Sequence, residues 1–181
     1  TLADHGLELR AVTNGGGWEL RSGRVFMDDR EASAALTAAP GAREIFTYFV
    51  NELRSGDRAC PYSMVSAPTP GAPMPAGDAI DVTPWLAEDL GIAPGAPLAL
   101  TFFVLDAGRR LVETSREFRV RAVLPDGGAS VDPSLMPDFP GLSDTERCSD
   151  WKPGIPVDLD RIRPKDEAYW KAHRGMPKAF V

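Results

Sequence analysis

Asp158-Leu159-Asp160 is the sharpest chemical pattern in the sequence. Two carboxylates flanking one residue can hold a divalent cation, as in metal-dependent transferases that act on sugar nucleotides. The competing reading puts the pair at the start of a helical turn, where a side-chain oxygen accepts an orphan backbone amide. Arg161 and Arg163 stand beside them, and no nucleotide-binding βαβ pattern surrounds them. Capping is therefore preferred, and no residue is assigned to a metal.

Other chemistry is thinly provided. Histidine is the usual acid–base group near neutral pH, and the chain has only His5 and His173. His173 falls on the last turn of a predicted helix, where a cation suits the helix dipole. Cys60 and Cys148 lie far apart, with neither a zinc-type spacing nor a disulfide framework. The sequence leaves open whether they meet. No G-x-S-x-G, Walker loop or G-x-G-x-x-G is present, and "NGGGW" reads as a hairpin turn. Neither a catalytic residue nor a cofactor is expected.

The dyad sits in the densest stretch of the chain, "DWKPGIPVDLDRIRPKDEAYW". Aromatic side chains such as Trp151, Tyr169 and Trp170 anchor irregular segments by burying large apolar areas. Pro153, Pro156 and Pro164 restrict the unfolded chain, which helps to hold an extended strap in place. The predicted strap comprises Asp150, Trp151, Pro153, Gly154, Pro156, Asp158, Asp160, Tyr169 and Trp170. It is read as a rigid structural element.

The elements that must carry this strap follow from periodicity. "GLELRAV" alternates as a half-buried strand and "WELRSGRVFM" returns after the glycine turn. Asp28 or Asp29 caps a helix through the alanines that follow, ended by Pro40-Gly41. "REIFTYFVNEL" and "RACPYSMVSA" form a hairpin across "RSGD". "SAPTPGAPMPAG" is a stiff proline-rich loop. "DAIDV" is a short strand, and Thr83-Pro84 starts a helix that Gly91 closes. "PLALTFFVLD" and "RLVETSREFRVRAVLP" are long strands joined by "DAGR", the second with Phe118, Val120, Ala122 and Leu124 on a buried face. Ser143 to Glu146 fits a capping box. A last helix runs from Pro164, with Gly175 as its C-cap.

The class is α+β, built of β-hairpins and a meander with a few short helices. The whole of 1–181 reads as one domain, with subdomains 1–66 plus 126–181 and 78–125 flanking the loop 66–77. The net charge of −6 argues against a nucleic-acid partner, which would call for a basic surface. The longest nearly apolar run, "APLALTFFVL", has ten residues, half of what a membrane span of roughly 20 needs. Opening on Thr1 and stopping at "PKAFV", the chain reads as a piece of a longer polypeptide.

Three stretches carry a family resemblance. "PWLAEDLGIAPGAPLALTFFV" resembles the helix–glycine–strand unit of extracytoplasmic domains in FtsX-like and MacB-like ABC transporter permeases. "CSDWKPGIPVDLDRIRPKDEAYWKAHRGMPKAFV" and "FTYFVNELRSGDRACPYSMVSA" are similar to segments of a subgroup of large bacterial FtsX-like permeases; Lys152 stands where that signature has an acidic residue. The resemblance implies a MacB-like periplasmic core on an inner-membrane protein, joined to its own transmembrane helices. It implies a separate cytoplasmic ABC ATPase subunit as partner. It also implies a non-catalytic role, relaying ATP-driven motion and gripping a lipid-linked or hydrophobic cargo or an extracytoplasmic partner protein. Two alternatives stay open: a free-standing extracytoplasmic binding module, and a metal-dependent transferase using Asp158 and Asp160.

Overall fold

A computed structural model describes residues 1–11, 17–23, 27–67, 77–127, 135, 139–174 and 176–181. Contacts divide the chain into two compact units, Thr1–Glu44 and Ile45–Val181. Most of the proline-rich loop (68–76) lies outside the described residues, as does the glycine turn at 12–16.

The first unit holds a two-stranded antiparallel sheet, β1 (Leu7–Ala11) and β2 (Trp18–Ser22), and helix α1 (Asp29–Ala38). Asp28 caps α1 by accepting from the Arg30 amide at 3.0 Å, as expected from its position before the alanines. The half-buried reading of β1 is corrected. Leu9 is 50% exposed and Trp18 72% exposed. Alternation supplied the strand, but the ladder is tied by charges, with Arg21 bonded to Glu8 and Arg10 to Glu19 across it.

The second unit is a closed six-stranded barrel, which hydrophobic periodicity did not reveal. Its strands are β3 (Phe46–Ser55), β4 (Arg58–Ala67), β5 (Ala79–Val82), β6 (Pro97–Leu105), β7 (Leu111–Val123) and β8 (Ala179–Phe180). They close in the order β3-β4-β8-β5-β7-β6, with β6 returning to β3. Closure removes the unpaired edges that an open sheet would expose. The architecture is thus mixed α+β.

Helix α2 (Pro84–Leu90) packs on the barrel and helps fill its core. Thr83 caps it through the Leu86 amide, and Gly91 ends it in the left-handed conformation. Leu86, Leu90, Val50, Leu53, Ile80, Val82, Leu98 and Val120 build that core. The β3–β4 hairpin has two covered faces, and its alternation flips near Tyr62, whose φ is 49°. Leu53 and Cys60 join the barrel core, while Phe49, Tyr62 and Met64 face a second cluster with Trp151, Trp170 and Leu142. That second cluster is where the strap docks.

Three local expectations change. The face of β7 is buried only at Phe118 and Val120; residues 111–117 are exposed. β6 meets β3 only through Ala99–Thr101 and β7 meets β5 only from Arg119, so the outer ribbon has no strand beside it among the described residues. Ser143 caps no helix: its hydroxyl accepts from the Phe139 amide and donates to the Phe139 carbonyl, closing a tight turn. Helix α3 (Pro164–His173) ends at Arg174, itself left-handed at φ 52°, and Gly175 lies outside the described residues.

Gly141 makes that turn possible. Its φ is 80°, and a Cβ there would lie 2.0 Å from the Lys152 carbonyl oxygen, whose residue's amide donates to the Gly141 carbonyl at 2.8 Å. Backbone cannot yield as a flexible side chain would. Gly141→Ala is expected to cost about 3 kcal/mol of unfolding free energy, measured by urea denaturation. An unchanged midpoint would mean that the strap does not depend on this crossing.

Candidate functional site

The strap residues divide into anchors and surface. Trp151, Tyr169 and Trp170 are buried, whereas Asp150, Gly154, Pro156, Asp158 and Asp160 are exposed and Pro153 is half-buried. Trp151 packs edge-on against Trp170 at 4.9 Å and against Phe49 and Tyr62 at 6.2 and 6.1 Å. The Tyr62 hydroxyl accepts from the Asp158 amide at 2.5 Å, pinning the strap to β4.

Asp158 and Asp160 both stand exposed at the surface. The Asp158 carboxylate accepts the Asp160 amide at 3.1 Å and opens the short 3-10 turn Leu159–Arg161, the capping role preferred from sequence. Arg161 turns away to pair with Glu52 of β3.

The convergent chemistry lies one turn further on, and sequence reasoning did not assemble it. Asp89 of α2, Asp166 of α3, Cys60 of β4 and Lys178 before β8 meet beside Arg163. The side chains of Asp89, Asp166 and Lys178 are 2%, 7% and 5% exposed. Arg163 presents one edge to Asp166, with Nε and Nη2 at 2.6 and 2.7 Å from its oxygens. The same guanidinium reaches Asp89 at 2.7 Å and the Ala59 carbonyl at 2.8 Å. Lys165 caps the other side of Asp89. Asp166 also accepts the Arg163 amide at 3.0 Å, serving its own helix as a cap.

Lys178 lies deeper. Its ammonium stands 4.2 Å from the Trp85 ring centroid and 4.7 Å from that of Tyr169, where the negative ring faces favour a cation. Nζ donates to Cys60 Sγ at 3.3 Å and lies 3.8 Å from Asp166 Oδ1. Sγ is 3.9 Å from that same oxygen. Only the run of small and apolar residues around Lys178 could have marked it in sequence, since a lysine between Pro177 and Ala179-Phe180-Val181 has little room to stay exposed.

Electrostatics follow from burial and pairing. Burial opposes the Asp89 charge, but hydrogen bonds from Lys165 and Arg163 outweigh it and hold the carboxyl below its ordinary range. The bond to Asp166, above all, raises the Arg163 guanidinium. Burial pushes the Cys60 thiol up, with Lys178 pulling partly the other way. Cys148 is pushed up by burial and by Glu167, and Tyr169 by burial. Both cysteines are free and buried.

Ligand atoms of Cys60, Asp89 and Asp166 lie within 4.8 Å of one another, a spacing that suits a cation. Arg163, Lys165 and Lys178 already neutralise those groups, so a metal would have to displace three fixed positive charges. The donors do not favour one. An open groove of about 620 Å³ borders the network, lined by Arg58, Trp85, Glu88 and Lys165 together with Asp89 and Arg163. His173 lies against Tyr169 with the ring centroids 4.5 Å apart and the planes tilted by 39°. Comparison with protein-family models found no match, nor did comparison with the curated proteins.

Asp89 carries a testable pH dependence. Its folded-state pKa is depressed, so its pairing contributes stability that is fully present above the unfolded carboxyl value of about 3.9. That contribution is lost as pH falls through the folded value. Asp89→Asn should lower stability at pH 7 by about 2 kcal/mol, less than a fully buried pair because Lys165 and Arg163 remain partly solvated. The difference from the parent should shrink as the solution is acidified below about pH 4. Parallel acid titrations at constant urea check this, and a difference that stays constant with pH contradicts it.

Proposed function

We propose that this chain is the extracytoplasmic domain of an FtsX-like or MacB-like ABC transporter permease. It is non-catalytic and relays motion from a cytoplasmic ATPase subunit to the far side of the membrane. Such a domain has a MacB-like periplasmic core and continues into transmembrane helices of its own. It grips a lipid-linked or hydrophobic cargo or an extracytoplasmic partner protein.

One observation carries this reading. The segment with the most specific family resemblance, Cys148–Val181, is the segment cross-braced to the barrel through Arg163, Asp89 and Asp166. A mechanical relay needs a body that moves as a unit, with bending confined to its connections. A strap fastened to β3, β4 and α2 by aromatic packing and by a bridging guanidinium supplies that stiffness. No helix among the described residues is long and apolar enough to cross a membrane, so spans for a permease must come from chain outside 1–181.

The test is the complete reading frame. Apolar segments of about 20 residues are expected on each side of 1–181. The full product is expected to fractionate with membranes and to co-purify with a nucleotide-hydrolysing subunit. A complete product that stays in the aqueous fraction, with a leader but no further apolar segment, would replace this reading with the free-standing binding module.

A further inference from the structure

Cys60 and Lys178 are placed to become covalently joined. We propose that they form an oxidative cross-link site, in which a peroxide drives formation of a sulfenamide bond between Cys60 Sγ and Lys178 Nζ. This inference does not depend on the transporter reading.

Three features of the structure carry it. First, Sγ and Nζ are 3.3 Å apart, already in contact, and both side chains are buried, so neither exchanges readily with other partners. Second, both backbones are fixed: Cys60 lies in the β3–β4 ladder opposite Leu53, and the Lys178 amide donates to the Met64 carbonyl at 3.1 Å. Trp85 and Tyr169 hold the lysine head from two sides. Third, a cavity of about 30 Å³ is lined by Lys178, Asp166, Tyr169 and Pro61, the chain neighbour of Cys60, and also by the second thiol, Cys148. A single water needs roughly 10–15 Å³, so a molecule the size of hydrogen peroxide fits there. Entry requires only local opening, and the segment bearing Lys178 is tied into the barrel by the two-residue strand β8.

The chemistry balances without another reagent. One peroxide oxygen transfers to the Cys60 thiol, giving a sulfenic acid, and the other leaves as water. A sulfenic acid condenses with a nearby nitrogen to a sulfenamide. The Lys178 ammonium passes a proton to Asp166, 3.8 Å away, and attacks Sγ as the amine. The S–N bond forms as the S–O bond breaks. Hydroxide leaves as water with the proton from Asp166, and the nitrogen sheds its remaining extra proton to the carboxylate and thence to solvent. Sulfur loses two electrons and the peroxide gains them. Thiol, amine and peroxide thus become one sulfenamide and two waters. Cys148 borders the same cavity, and Glu167 accepts its backbone amide at 2.9 Å, so peptide mapping reads both thiols.

The experiment treats the folded 181-residue chain with hydrogen peroxide, blocks remaining thiols, and maps peptides by tandem mass spectrometry. A peptide pair joining Cys60 to Lys178, lighter by two hydrogens and separated again by dithiothreitol, is expected. The pair should disappear when the same treatment is done in concentrated urea. Lys178→Met should yield Cys60 sulfinic acid instead. Should that variant not fold, mapping of the unsubstituted chain decides alone. Sulfinic acid at Cys60 of that chain, a Cys60–Cys148 disulfide, or an unmodified Cys60 under conditions that oxidise a thiol peptide would each overturn the proposal.

Discussion

A single guanidinium organises the interior of the larger unit. Arg163 stands at the N-terminus of α3 and touches an acid from each of two helices together with a carbonyl of β4. Two nearly buried carboxylates would be strongly unfavourable side by side without a cation between them. A planar fork can satisfy both at once, which a lysine ammonium cannot do with the same geometry. The positions of α2 and α3 are therefore coupled through charge as well as through packing. Once Arg163 is held, Asp166 is oriented, and its second oxygen fixes where the Lys178 ammonium can settle.

That coupling explains why the strap lies where it does. Its aromatic anchors supply burial and its prolines limit alternative paths, but neither sets register along the barrel. Register comes from directional bonds: the Asp158 amide to the Tyr62 hydroxyl, Arg161 to Glu52, and Arg163 to the Ala59 carbonyl. All three land on the β3–β4 hairpin.

The sequence made the local parts legible. Thr83-Pro84 with Gly91, the Asp28 cap, the β3–β4 and β6–β7 hairpins and the Pro164 start each arise from interactions within a few residues, and each forms as expected. What stayed hidden is non-local. Barrel closure depends on Ala179 and Phe180 pairing with β4 and β5, and two residues carry no measurable period. The flip of the β3–β4 faces lies near Tyr62 with its positive φ, a conformation that a tyrosine does not advertise. The polar centre draws Cys60, Asp89, Asp166 and Lys178 from four separate elements, so no spacing could reveal it. Asp158 and Asp160 drew notice because they are neighbours, yet adjacency in sequence served only a local cap.

Strand β8 has a kinetic consequence. It is wedged parallel to one strand and antiparallel to another, with Ala179 beside Val65 and Val82. Every other stave of the barrel can assemble before this one arrives, leaving a gap flanked by two unsatisfied edges. Contacts so distant along the chain form late and slowly, and open edges invite pairing with foreign strands. The nascent protein is thus most vulnerable to sticking to its neighbours just before two small links complete the ring.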